Sequence, residues 1–274
     1  MAKDKYTNHI DMNNYYFHST NHMGDSLMNL RFFYNNRDIL KKCNIKITYY
    51  YSEYTSKFLK ELQEYQDDEL LTLLPISDKN EQSLELWMGH DINGVHYLNY
   101  SVYYDLFYKA IQKHLQLESV PLDCSFWQNE PHLHTVYDKL PECYKDVDIL
   151  INNCEAFSYQ YNKSFDEMNA LCQFLNTKYR IVTTRKVSGV PCTGDHFLKV
   201  KDIAAIGTHA KNIIGIMSGP LCALNNKQTR ESVNKWFIIT TDGSHYIHSI
   251  IDYTFITNGD LSPIYYYFSK PTQG

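Results

Sequence analysis

Two series of alternating strand and helix signals, separated by a segment that carries neither, constrain this chain more than anything else in it. In the first series the aromatic run NYYFHS (14–19) reads as a strand. From Asp25, apolar residues recur at Leu27, Leu30, Phe33, Tyr34 and Leu40, a helical spacing. IKITYYY (45–51) is rich in β-formers, SKFLKELQEY (56–65) reads as helix, and ELLTLLP (69–75) as a buried strand ended by Pro75. SLELWMG (83–89) alternates like a strand, and SVYYDLFYKAIQKHLQL (101–117) is the clearest amphipathic helix of this half.

Residues 118–146 then contain three prolines and little periodicity, as a linker does. The second series opens with VDILINN (147–153), an apolar strand. Ser164 stands three residues before Glu167, the spacing of a capping box, ahead of a helix carrying Leu171, Phe174 and Leu175. RIVTT (180–184) is a strand, VKDIAAIGTHAK (200–211) a short helix and NIIGIM (212–217) a strand. SGPLCAL (218–224) turns into a helix, and KWFIIT (235–240) is expected to close the series. Strands alternating with helices imply parallel sheets. The expected architecture is therefore α/β, with two Rossmann-like domains, 1–130 and 131–274, facing across a cleft. Ligands of such sheets bind beyond the carboxyl ends of the strands.

Several classes are excluded at this level. No apolar run approaches the 18 residues of a membrane span, and the polar start MAKDKYTNHIDMNN lacks the apolar core of a signal peptide. A net charge of −5 argues against a broad nucleic-acid footprint. The cysteines at 43, 124, 143, 154, 172, 192 and 222 are odd in number and form no C-x-x-C pair. Reduced thiols in a cytoplasmic protein are expected, not a disulfide framework or zinc site. G-x-G-x-x-G, Walker A, G-x-S-x-G and H-E-x-x-H patterns are all missing, and no D-x-D follows a strand. Neither a cofactor nor a bound metal is expected. His132-Leu133-His134 could offer two imidazoles, but nothing nearby completes a metal site, so linker histidines are the simpler reading.

Three turns could carry chemistry. In STNHMGDS (19–26) a strand leads through a glycine into a helix, where backbone N–H groups are exposed and suit a sugar or phosphate oxygen. Asp25 in that first turn would be kept ionised by the helix dipole and could take a proton from an attacking hydroxyl. It could equally be a plain helix cap. His18, His22, Gly24 and Ser26 form the expected substrate-contact set around it, although both histidines also read as ordinary surface polar residues. In VTTRKVSGVPCTGD (182–195), Thr184, Arg185 and Lys186 follow a strand, where two cations could neutralise a diphosphate or simply be solvated. Ser218, Gly219 and Pro220 follow another strand and could hold phosphate or ribose oxygens.

Together these pieces resemble the GT-B glycosyltransferases, most nearly the ADP-heptose-type heptosyltransferase group. That group has a Gly-Asp turn after its first strand, here Gly24-Asp25 in HMGDSLMNL. Its late D-[ST]-G-P-x-H segment is similar to VKDIAAIGTHAKNIIGIMSGPLCAL, with Ser218, Gly219 and Pro220 matching. Met217 stands where the family has Asp, and Cys222 where it has His. The resemblance implies a metal-independent, inverting transfer of sugar from a nucleotide-sugar to a hydroxyl of a glycan or similar acceptor. It makes Asp25 the base and gives the nucleotide-sugar to the C-terminal domain. Two other classes stay open. One is a glycan- or nucleotide-binding protein of the same fold without catalysis, which the replaced Asp and His favour. The other is an α/β methyltransferase, for which only Glu53 could serve after the second strand.

Overall fold

The computed structural model describes residues 13–20, 23–86, 103–125, 133–154, 161, 164–241 and 253–270. The chain divides into two compact units, one formed by Met1–His96 with Leu106–Cys124, the other by Tyr97–Asp105 with Ser125–Gly274.

The first unit holds the strands β1 (Asn13–Ser19), β2 (Ile45–Tyr51), β3 (Leu71–Pro75) and β4 (Leu84–Glu85). They form one parallel sheet in the order β3-β2-β1-β4. The crossovers include α1 (Met23–Asn35), α2 (Arg37–Lys42) and the single turn α3 (Leu59–Leu62), which lies between two 3-10 turns. The long helix expected over 56–65 is thus broken into three short pieces. The helix α4 (Tyr103–His114) returns to this unit, where its Tyr108 ring stacks on Phe32 with centroids 4.7 Å apart. Phe17 of β1 stacks on Phe33 of α1 at 5.3 Å, so the aromatic excess of this half is largely core.

The second unit holds β5 (Ile149–Asn152), β6 (Ile181–Thr183), β7 (Asn212–Ile216), β8 (Lys235–Ile239) and β9 (Tyr253–Ile256). They too are all parallel, in the order β6-β5-β7-β8-β9. Helices α5 (Leu133–Asp138), α6 (Phe165–Asn176), α7 (Val200–Gly207), α8 (Gly219–Leu224), α9 (Lys227–Ser232) and α10 (Ser262–Ser269) complete the unit. The series does not close at β8, because β9 and α10 follow it. Every residue of β5 is buried, as a strand covered on both faces requires. Ser164 does cap α6, but its hydroxyl accepts from the Asp166 N–H and not from Glu167, so the cap is one residue tighter than the capping-box spacing implies.

Strand order locates the places where ligands can enter. Each sheet reverses direction beside its first strand: between β1 and β4 in the first unit, between β5 and β7 in the second. At such a reversal the flanking crossovers lie on opposite faces, and a crevice opens at the carboxyl ends.

Candidate functional site

In the first unit the reversal is bordered by the ends of β1 and β4. The Thr20 hydroxyl donates to the Glu85 carboxylate, and the Leu86 N–H donates to the His18 carbonyl at 2.7 Å. His18 is buried, and its Nδ1 meets the Ser83 hydroxyl at 3.0 Å. Burial, and then the nearby Lys79, hold its pKa below the ordinary value, so the imidazole stays neutral. His22 lies outside the described residues.

Gly24 and Asp25 fall inside the first turn of α1, which begins at Met23. Asp25 is half-buried as a residue, with its carboxyl set below the surface. Burial pushes that carboxyl up to about 7, against the opposing hydrogen bond from its own backbone N–H. The sequence leads one to expect an ionised carboxylate at a helix start. Here desolvation outweighs the dipole. Near enough to feel the Asp25 charge is Tyr49, fully buried and pushed up to about 12, chiefly by its own burial. Asn29 Nδ2 donates to the Tyr49 hydroxyl at 3.4 Å and to the Leu86 carbonyl at 3.0 Å, while the Tyr108 hydroxyl donates to Asn29 Oδ1 at 3.4 Å. The Ser19 and Ser26 hydroxyls lie buried beside Tyr49, with no partner in full hydrogen-bond geometry among the described residues. Ser26 therefore sits under the helix start, with none of its surface open to solvent.

In the second unit the reversal lies between the ends of β5 and β7, and the loop after β6 lies on the other side of β5. Two side chains absent from the sequence-level candidates tie these together: Asn152 and Asn153, at the end of β5. Asn152 Nδ2 donates to the Ile216 carbonyl at 2.8 Å and to Ser218 Oγ at 2.7 Å. Its Oδ1 accepts from the Thr184 hydroxyl at 3.0 Å. Asn153 Oδ1 accepts from the Arg185 N–H at 2.7 Å, and its Nδ2 donates to the Arg185 carbonyl at 3.2 Å. The polar end of VDILINN was the available signal: two amides finishing an otherwise apolar strand are buried by it and need partners.

The loop after β6 is rigid. Val187 and Val190 anchor it in the core, and the Thr183 N–H donates to the Pro191 carbonyl at 3.0 Å. Thr184 is held on three sides, since the Cys154 thiol also donates to its oxygen at 3.1 Å. The Arg185 guanidinium carbon lies 4.0 Å from the centre of the Phe165 ring, a cation–π contact. Lys186 reaches both oxygens of Asp195 at 2.7 Å and so already has an anionic partner. Across the strand, Ser218, Gly219 and Pro220 are half-buried at the start of α8. Gly215 lies under this helix: a Cβ there would run into Leu221 Cδ1, and that side chain would have to turn aside. Met217, in the position of the resemblance's Asp, is buried. Of the linker histidines, His132 lies outside the described residues, and His134 meets the His209 ring edge-on at 5.6 Å.

No family model matches the sequence, and no curated protein matches it. Solved structures do match. Escherichia coli heptosyltransferase WaaC with ADP-2-deoxy-2-fluoro heptose is similar at a TM-score of 0.52 and 9% identity, over 93% of this chain and 99% of that one. The same enzyme with ADP gives 0.52 and 10%, with the same coverage. A glycosyl transferase family 9 structure from Veillonella parvula gives 0.49 and 12%, over 90% and 87%. At such identities the likeness to WaaC is one of fold. The chain has the α/β fold of the GT-B glycosyltransferases, two parallel sheets flanked by helices. Among the described residues no helix is long and apolar enough to cross a membrane.

Proposed function

We propose that this protein is a glycosyltransferase that moves a sugar from a nucleotide-sugar to a hydroxyl of a glycan or similar acceptor, with inversion and without a metal. The observation that carries the reading is Asp25. A carboxyl at the reversal of a parallel sheet, with burial setting its pKa at about 7, suits a general base at neutral pH. The acceptor is assigned to the first domain, 1–130, and the donor to the second, 131–274.

In the proposed step the ionised Asp25 takes the proton of the acceptor hydroxyl as its oxygen attacks the anomeric carbon from the face opposite the leaving group. The new C–O bond forms while the bond from that carbon to the diphosphate oxygen breaks. The electron pair leaves on the nucleoside diphosphate, and one displacement inverts the anomeric centre. Arg185, at the carboxyl end of β6 and seated over Phe165, supports the reading of a diphosphate contact, since a guanidinium matches phosphate oxygens in pairs. Ser218, Gly219 and Pro220 are assigned to the nucleotide-sugar on the same grounds of position. Thr184 shapes the site through Asn152 and Asn153, and Lys186 can join only by leaving Asp195. Gly24 and His18 belong to the acceptor side, with His18 acting through its neutral ring. A donor of the kind named for the Escherichia coli neighbours, ADP-heptose, is the first to try.

A binding protein without turnover is the second reading, favoured by the buried apolar Met217 in the late motif. Nucleotide release from a panel of nucleotide-sugars, with glycan acceptors and with EDTA present, tests the proposal. Release that depends on the acceptor and survives EDTA supports it. Tight nucleotide binding with no release under any pairing leaves the binding protein instead.

A further inference from the structure

Hydrogen-bond polarity at the end of β5 fixes which way the Ser218 proton points. The Ile216 carbonyl can only accept, so the amide nitrogen of Asn152 must face it, and with it Ser218. The Thr184 hydroxyl then meets the amide oxygen and donates to it. An amide nitrogen only donates, so the Ser218 oxygen is the acceptor of the 2.7 Å bond. Its own proton is left over. No acceptor for that proton is recorded among the described residues, and Ser218 is half-buried, not sealed. Thr184 differs in this respect, since its hydroxyl donates to Asn152 and Asn153 and accepts from Cys154.

We infer that Asn152 is a positioning residue that turns the Ser218 hydroxyl into an outward hydrogen-bond donor, so that the ligand atom received there is an acceptor oxygen, of a phosphate or a sugar. The inference rests on the donor-side reading given above and adds the polarity of the contact and the residue that sets it. The same amide joins the segments on either side of β5, because Asn152 holds the turn after β7 through its nitrogen and the loop after β6 through its oxygen. Asn153 completes the fastening by binding both backbone groups of Arg185. A carboxylate at position 152 would reverse the arrangement: with no N–H to give, it would draw the Ser218 proton inward.

The test is a double-variant cycle read by calorimetric binding of ADP, UDP, GDP and CDP. The full chain is used with Asn152→Leu, Ser218→Ala and the two combined. Ser218→Ala is expected to weaken the best nucleotide by about tenfold, as loss of a hydrogen bond to a charged oxygen does. Asn152→Leu should weaken it by a similar factor alone and by none in the Ser218→Ala background, because its effect passes through that hydroxyl. Equal losses from Asn152→Leu in both backgrounds would show a general loosening of the site and overturn the inference. So would no loss in either. If Asn152→Leu does not fold, Asn152→Asp keeps the oxygen that holds Thr184. In the same cycle the charge repulsion persists with Ser218→Ala, while the part due to the reversed hydroxyl vanishes; equal losses again overturn the idea. A native chain that binds none of the four nucleotides removes the donor reading itself, and the inference with it. That outcome is visible before any variant is made.

Discussion

Replacing Asp25 by Asn should make the folded protein more stable, and increasingly so as pH rises. A carboxyl raised from 3.8 to about 7 is one that folding keeps protonated. The stability this contributes is fully present below pH 3.8 and drains away as pH climbs towards 7, because the unfolded chain ionises freely while the folded one cannot. Above 7 both forms are ionised and the loss is constant. At about 1.36 kcal/mol per pKa unit, the loss grows to the order of 4 kcal/mol at neutrality. Asparagine resembles the protonated acid and never ionises, so it avoids the whole of this. Its own buried NH2 adds a penalty that does not vary with pH. The quantity to read is therefore the slope of the difference, not its absolute value. Urea denaturation of both proteins at half-unit steps from pH 4.5 to 8 supplies it. The difference should rise by about 1.4 kcal/mol per pH unit up to neutrality and then flatten. A difference that stays flat from pH 5 to 7 would mean the carboxyl is solvated and titrates normally. The argument for a base poised by burial would then fail.

Turnover should follow the same group. The rate is expected to rise with pH through about 7, as Asp25 loses its proton, and Asp25→Asn should lower it by about 10²–10⁴-fold while nucleotide affinity holds. A pH profile flat from 5.5 to 8 would remove Asp25 from the chemistry. Gly215→Ala should destabilise the second unit by about 1–3 kcal/mol in the same denaturation assay, since its methyl meets the buried Leu221 side chain, which must turn aside; unchanged stability would show that Leu221 yields freely. Arg185→Ala should weaken nucleoside diphosphate binding in calorimetry by tenfold or more, whereas Lys186→Ala should shift stability by no more than about 0.5 kcal/mol, its pair with Asp195 being largely exposed. Equal affinity for the native chain and Arg185→Ala would refute the diphosphate contact.

Much of the framework could be read before any coordinates. Parallel strands buried on both faces must be almost wholly apolar, and ILIN (149–152) and NIIGI (212–216) carry that mark. The starts of α1 and α8 were visible for a local reason too, although Gly24 and Gly219 fall inside the first turns of those helices and not in turns ahead of them. What stayed hidden depends on distant partners. The neutral pull on Asp25 comes from burial in the folded unit, which no window around residue 25 contains. Lys186 looked like a free cation because Asp195 comes nine residues later, on the far side of a loop. Asn152 and Asn153 looked like strand-end polar residues until residues 184, 185 and 218 were brought to them.

The order of strands also bears on how the chain reaches this state. In each sheet the strand synthesised first, β1 or β5, ends with a neighbour on both sides, and every partner arrives later. Among the described residues no strand pairs with another through a hairpin; β1 must wait for β2 and then for β4, which begins at Leu84. Every pairing thus closes a long loop before it is rewarded, which slows folding relative to proteins of local contacts. The growing chain meanwhile carries Ile149, Leu150 and Ile151 with neither edge covered. A refolding experiment should accordingly show its losses to aggregation early, in the interval before β7 has docked, and should improve as the protein is diluted.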